Sequence, residues 1–117
     1  MRIGLLGVGR LGAAHAETLR AMREVDELRI YDADRARAED VATKVRGTAV
    51  DSVDAAYRDV DAVVLVTPTD THAALIEKAM DARLPTFCEK PIAIGIAETR
   101  DVVEHVRRAN GRVQIGF

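Results

Sequence analysis

Near the start of the chain, Gly7-Val8-Gly9-Arg10-Leu11-Gly12 carries the pattern GxGxxG. Glycines at that spacing suit a particular task. The first permits a tight turn, the second lets backbone approach a pyrophosphate, and the third lets a helix pack close to a strand. The amides at the helix start then meet the anion. Backbone alone does this, so the pattern by itself is equally that of a structural turn. A second feature decides between the two. Asp32 follows the run Leu28 to Tyr31 and stands roughly 20 positions beyond Gly12, where a dinucleotide fold sets a carboxylate on the adenosine ribose. A carboxylate there accepts from both ribose hydroxyls and repels a 2′-phosphate, which favours NAD over NADP. Arg35 and Arg37 would oppose that preference if either faced a phosphate, but arginines early in a helix read more simply as solvated surface. An S-adenosylmethionine site usually has an acid just before its glycine loop, where Leu5 and Leu6 stand here, and the GxxxxGK[ST] pattern of an NTPase does not occur.

Two further segments are chemically rich. Thr67-Pro68-Thr69-Asp70-Thr71-His72 follows Ala62 to Val66. Its proline ends a strand and its hydroxyls suit the cap of the next helix, which is also all that an ordinary capped turn would do. Glu89-Lys90-Pro91 follows Pro85 to Cys88. Lys44 and Lys78, the remaining lysines, fall on helix surfaces, so Lys90 stands apart. An ammonium at a strand end beside a nicotinamide could donate to a substrate hydroxyl and stabilise the alkoxide character that develops as hydride leaves carbon. If buried, it could also exchange a proton. The bond before Pro91 is of the kind that reaches cis at low cost, which would fix where Lys90 points. A surface Glu-Lys pair fits the same spacing.

For these segments to share one crevice, several strand ends must lie side by side. Short runs rich in Val, Ile and Leu alternate with longer stretches of helical spacing, so strand and helix take turns. Strands are expected at Arg2 to Leu6, Leu28 to Tyr31, Thr48 to Val50, Ala62 to Val66, Pro85 to Cys88 and Arg112 to Gly116. Helices are expected near Arg10 to Met22, Asp34 to Val45, Ser52 to Tyr57, Asp70 to Asp81 and Ala97 to Ala109. Strands this apolar are buried on both faces. The fold class is α/β, a Rossmann-type doubly wound parallel sheet forming a single domain over residues 1–117, with ligands at the carboxyl ends of its strands. Asp34 and Ser52 fit N-caps, and Asn110-Gly111 fits a left-handed helix stop.

Composition narrows the partners. A chain of 117 residues, 48% hydrophobic, fills one core. Its 17 basic and 19 acidic residues nearly balance, and with two Phe, two Tyr and no Trp it offers little for bases to stack on, so no nucleic-acid partner is expected. The apolar runs fall far short of the roughly 20 residues that span a bilayer, so no membrane partner is expected either. With Cys88 alone there is no internal disulfide, and without a spaced Cys/His cluster no metal site is expected; a cytoplasmic setting fits. Cys88 reads as a small buried hydrophobe, although its place before Glu89 leaves redox sensitivity open. His15 reads as a packing or surface residue, His105 as surface, and Arg20, Arg23, Arg107 and Arg108 as solvated.

In this order and at these intervals, GVGRLG, YD, TPTDTH and CEKP resemble the Gfo/Idh/MocA family, the group of glucose-fructose oxidoreductase and inositol 2-dehydrogenase. The resemblance runs the whole length of the chain and is strongest toward the inositol dehydrogenases. It implies that Gly7, Gly9, Arg10, Leu11 and Gly12 line a pyrophosphate, that Asp32 takes the ribose, and that Thr67, Pro68 and His72 form the turn flanking the dinucleotide. Glu89 and Lys90 then reach the nicotinamide, with Lys90 also the catalytic contact to substrate. The implied reaction moves hydride between a secondary hydroxyl of a sugar, inositol or related polyol and NAD. A substrate domain with further acid/base residues would follow, and Val113 to Phe117 looks like the strand that leads to it. The chain alone is therefore expected to bind NAD without turning substrate over, and to self-associate as a homo-oligomer through uncovered apolar surface. The alternative is a non-catalytic NAD-binding module, a sensor or an assembly piece, which has no need of an ammonium beside the nicotinamide.

Overall fold

The computed structural model describes residues 1–116, and Phe117, the last residue of the strand expected to lead onward, lies outside them. The elements run β1 (Arg2–Leu6), α1 (Arg10–Ala21), β2 (Glu27–Tyr31), α2 (Arg35–Val45), β3 (Thr48–Ala49), α3 (Val53–Tyr57) and β4 (Ala62–Leu65). A 3-10 turn (Thr69–Thr71), α4 (His72–Asp81), β5 (Thr86–Cys88), α5 (Ile96–Arg108) and β6 (Val113–Ile115) complete the chain. Every strand pair is parallel, and the sheet order is β3-β2-β1-β4-β5-β6. That is the doubly wound arrangement expected from the alternation of strand and helix. The order reverses between β1 and β4, where Leu6 pairs with Leu65, so a crevice opens beyond those two residues.

The alternation of side chains along each strand feeds two cores. Ile3, Leu5, Ile30 and Val64 meet Ala16 of α1 and Val41 and Val45 of α2 on one face. Leu6, Val63 and Leu65 meet Tyr57 of α3, Ile76 of α4 and Val102 of α5 on the other. Leu5, Leu6, Ile30 and Leu65 are fully buried, each worth roughly 2 kcal/mol of apolar transfer.

Helix ends follow local chemistry. Asp34 accepts from the Arg37 amide at 3.2 Å and Ser52 Oγ from the Ala55 amide at 3.0 Å, both as expected. The stop after α5 is made by Asn110 at φ 50°, in the left-handed region. The segment after β4 differs from expectation. Thr71 Oγ1 donates to the Pro68 carbonyl (2.6 Å) and shares a second bond with Thr67 Oγ1 (2.6 Å), so it caps no helix amide; the chain makes a 3-10 turn first, and the α-helix begins at His72 rather than Asp70. Arg20 also departs from the reading as solvated, because its guanidinium folds back onto the Val25 carbonyl at 3.1 Å.

Cys88 is fully buried. Burial, with the neighbouring Glu89 charge adding to it, pushes its thiol up to about 12. At pH 8 about one thiol in ten thousand is then ionised. Iodoacetamide is therefore expected to leave the native protein unlabelled over hours and to label it fully in urea, as read by mass spectrometry.

Candidate functional site

β1 is followed by Gly7 at φ +87°, and a side chain there would stand 2.5 Å from the Val66 carbonyl oxygen. At Gly12 a Cβ would lie 1.9 Å from the Gly7 carbonyl oxygen. The turn, the first coil of α1 and the end of β4 therefore touch through main chain alone. A Cβ at Gly9 would meet nothing within 4 Å, so the loop faces open space. The first intrahelical bond of α1 runs from the Ala13 amide to the Gly9 carbonyl at 2.8 Å, which leaves the amides of Arg10, Leu11 and Gly12 without a helical partner. Unpartnered amides at the positive end of a helix dipole suit an anion, so the geometry offers a cradle for one. Arg10 and Leu11 are exposed, so their part in it is played by backbone.

Asp32 lies just past β2 with its carboxylate 9% exposed. Oδ2 accepts from the Val8 amide and Oδ1 from the Asp34 amide, both at 2.8 Å. A carboxylate has about four acceptor sites, so each oxygen keeps one for a ribose hydroxyl. Arg37 is exposed, as the sequence reading has it, and its guanidinium also comes to this carboxylate, Nη1 3.5 Å from Oδ1. Arg35 pairs with Glu39 and Asp51. Gly7, Gly9, Asp32, Arg37, Thr67 and Pro68 line one cleft of about 600 Å³, which joins the glycine loop to the Thr-Pro turn.

His72 does not open into that cleft. It is 1% exposed, with Nδ1 2.7 Å from the Pro91 carbonyl oxygen and Nε2 2.9 Å from that of Thr67. Its imidazole bridges the loop after β4 to the loop after β5. Glu89 lies at the second of those loops, its amide donating to the Leu65 carbonyl at 2.9 Å. The Lys90-Pro91 peptide is cis. Lys90 is exposed, so the condition set for proton exchange, burial, is not met, and it has no ion-pair partner among the described residues. A contact absent from the sequence reading is His15, whose Nε2 meets Glu89 Oε1 at 2.8 Å. His105 pairs with Asp81 at 3.0 Å, away from these loops on the last helix, in keeping with its reading as surface. Among the described residues no cluster of His, Cys, Asp or Glu could hold a metal, and no helix is long and apolar enough to cross a membrane.

A parallel sheet whose switch point carries a glycine cradle and a nearly buried carboxylate defines a dinucleotide-binding domain. The chain belongs to the Gfo/Idh/MocA oxidoreductases, whose family model, an NAD-binding Rossmann fold, matches residues 1–117. It is 40% identical over 119 residues to an inositol 2-dehydrogenase of Rhizobium meliloti, covering 100% of this chain and 36% of that protein. It superposes on a UDP-N-acetylglucosamine 3-dehydrogenase of Acidithiobacillus ferrooxidans with a TM-score of 0.89 at 37% identity, covering 99% of this chain and 36% of that one. For a scyllo-inositol dehydrogenase of Lactobacillus casei, solved with NAD(H) and scyllo-inositol, the TM-score is 0.91 at 26% identity, with the same coverage. The chain thus spans about a third of the length of the relatives it matches.

The glycines separate two duties that mutation can tell apart. Gly12→Ala is expected to cost about 3 kcal/mol or more in urea unfolding, because its Cβ meets backbone. Gly9→Ala is expected to stay within about 1 kcal/mol of wild type in the same assay, since its φ of −63° suits alanine, while weakening NAD binding by calorimetry.

Proposed function

We propose that this chain is the cofactor half of a dehydrogenase that moves hydride between a secondary hydroxyl of a sugar, inositol or related polyol and NAD. The observation that carries the reading is the Asp32 carboxylate, nearly buried beside the glycine loop with an acceptor site left on each oxygen. In this reading the amides of Arg10, Leu11 and Gly12 hold the pyrophosphate, and Thr67, Pro68 and the turn fixed by His72 flank the dinucleotide. Glu89 and Lys90 face the nicotinamide. NAD, when bound, supplies the hydride acceptor.

Lys90 is the catalytic residue of this proposal. Its ammonium, unpaired among the described residues, donates to the substrate oxygen and stabilises the charge that grows there as hydride leaves. The names of the relatives, dehydrogenases of inositols and of a UDP-sugar, support a polyol or sugar as substrate. Ile94 and Ile96, 75% and 73% exposed just past the Lys90 loop, are the apolar surface that a substrate domain would cover. The remaining acid/base groups belong to that domain, so the chain alone binds cofactor without turnover.

Calorimetric titration with NAD, NADP and S-adenosylmethionine tests the assignment. NAD is expected to bind best, and Asp32→Ala to weaken it about tenfold or more, the cost of losing hydrogen bonds to a charged group. With Arg37 left at the site, the same variant narrows the gap between NAD and NADP. Tighter binding of S-adenosylmethionine than of NAD, or NAD affinity unchanged by Asp32→Ala, would sink the reading. Incubated with NAD and myo-inositol, the chain is expected to give no rise in absorbance at 340 nm over an hour; a steady rise would show that it needs no second domain.

A further inference from the structure

His15 of α1 and Glu89 after β5 meet at 2.8 Å with both side chains largely screened, 25% and 18% exposed. An ionised carboxylate only accepts, so Nε2 carries the proton of this bond. The pair is held on several sides. The His15 ring packs against Phe87, ring centroids 5.6 Å apart and tilted by 58°, so the strand that delivers Glu89 also sets the imidazole. Gly116 closes the far side: a Cβ there would stand 3.1 Å from Glu89 Oε2 and 2.8 Å from the Phe87 ring.

Lys90 itself makes no such contact among the described residues, yet both of its neighbours are tied down. Glu89 is gripped through its carboxylate by α1, and Pro91 through its carbonyl by His72 of α4. Removing His15 would leave a partly buried carboxylate without its charge-assisted donor, which favours turning that carboxylate toward water or toward the adjacent ammonium. Either movement changes the face that the loop offers.

We propose that His15 is a positioning residue for the nicotinamide end of the site, fixing the Glu89 carboxylate and through it the loop that presents Lys90. This rests on the reading that Glu89 and Lys90 flank the nicotinamide. ADP-ribose keeps the adenosine, pyrophosphate and second ribose of NAD but lacks the nicotinamide, so it reports the rest of the site separately. The full chain and its variants are titrated with both ligands by calorimetry, with a thermal melt of each variant to verify its fold. His15→Ala is expected to weaken NAD about tenfold, the scale of one hydrogen bond to a charged group, and ADP-ribose less than about twofold. His15→Gln, whose amide nitrogen can stand in for Nε2, restores most of the NAD affinity. Glu89→Ala gives the same selective loss, and the double variant loses no more than either single one. Equal weakening toward both ligands, or none toward either, overturns the inference and leaves the cofactor reading intact. A wild-type chain that binds neither ligand overturns the cofactor reading and this inference with it.

Discussion

The close meeting of α1 with the turn after β1 is the contact on which the site depends. No side chain fits between Gly12 and the Gly7 carbonyl, and none fits between Gly7 and the end of β4. Because three main-chain segments touch there, the start of α1, with its unpartnered first amides, is fixed at the switch point of the sheet. Moved outward by the width of a methyl group, the helix would aim those amides elsewhere. The Val8 amide, on the same turn, then reaches Asp32 and ties the end of β2 to the loop.

Charge is arranged on that frame. Holding the Asp32 carboxylate nearly out of water is costly unless donors surround it, and two backbone amides with a nearby guanidinium do so. The anion cradle and this carboxylate are tied to one turn through the Val8 amide yet favour opposite charges, which suits a ligand with an anionic middle and a hydroxyl-bearing sugar. The loops after β4 and β5 carry no shared secondary structure. They are joined by the buried ring of His72, whose two nitrogens face a carbonyl from each.

What the sequence made legible was mostly local. The glycine turn, the acid after β2, the N-caps at Asp34 and Ser52 and the left-handed stop at Asn110 each depend on a few adjacent residues, and each is found. The strand limits came out shorter in places, because a strand ends where its ladder partner does: β3 pairs only Thr48 and Ala49, against Arg29 and Ile30. Arg37 lies on the surface as read, but nothing in helical spacing says that its guanidinium also reaches Asp32. His15 and Glu89 are 74 positions apart, and only the parallel order of β1, β4 and β5 beneath α1 brings them together. The exposure of Lys90 was equally out of reach, since a Pro-limited loop fixes no depth. The capping hydroxyl expected at the Thr-Pro turn failed for a local reason: Thr71 found nearer oxygen partners in its own turn.

The bond between His15 and Glu89 turns α1 into a strut. The helix stands with its first turn against the anion cradle and, five residues or about 7 Å along its axis, holds the loop after β5. A packed helix moves as a rigid piece, so displacement at one end is carried to the other almost undiminished. The two ends of the crevice therefore share a single mechanical reference, and a core substitution beneath α1, at Ala16 for example, would put both out of alignment together.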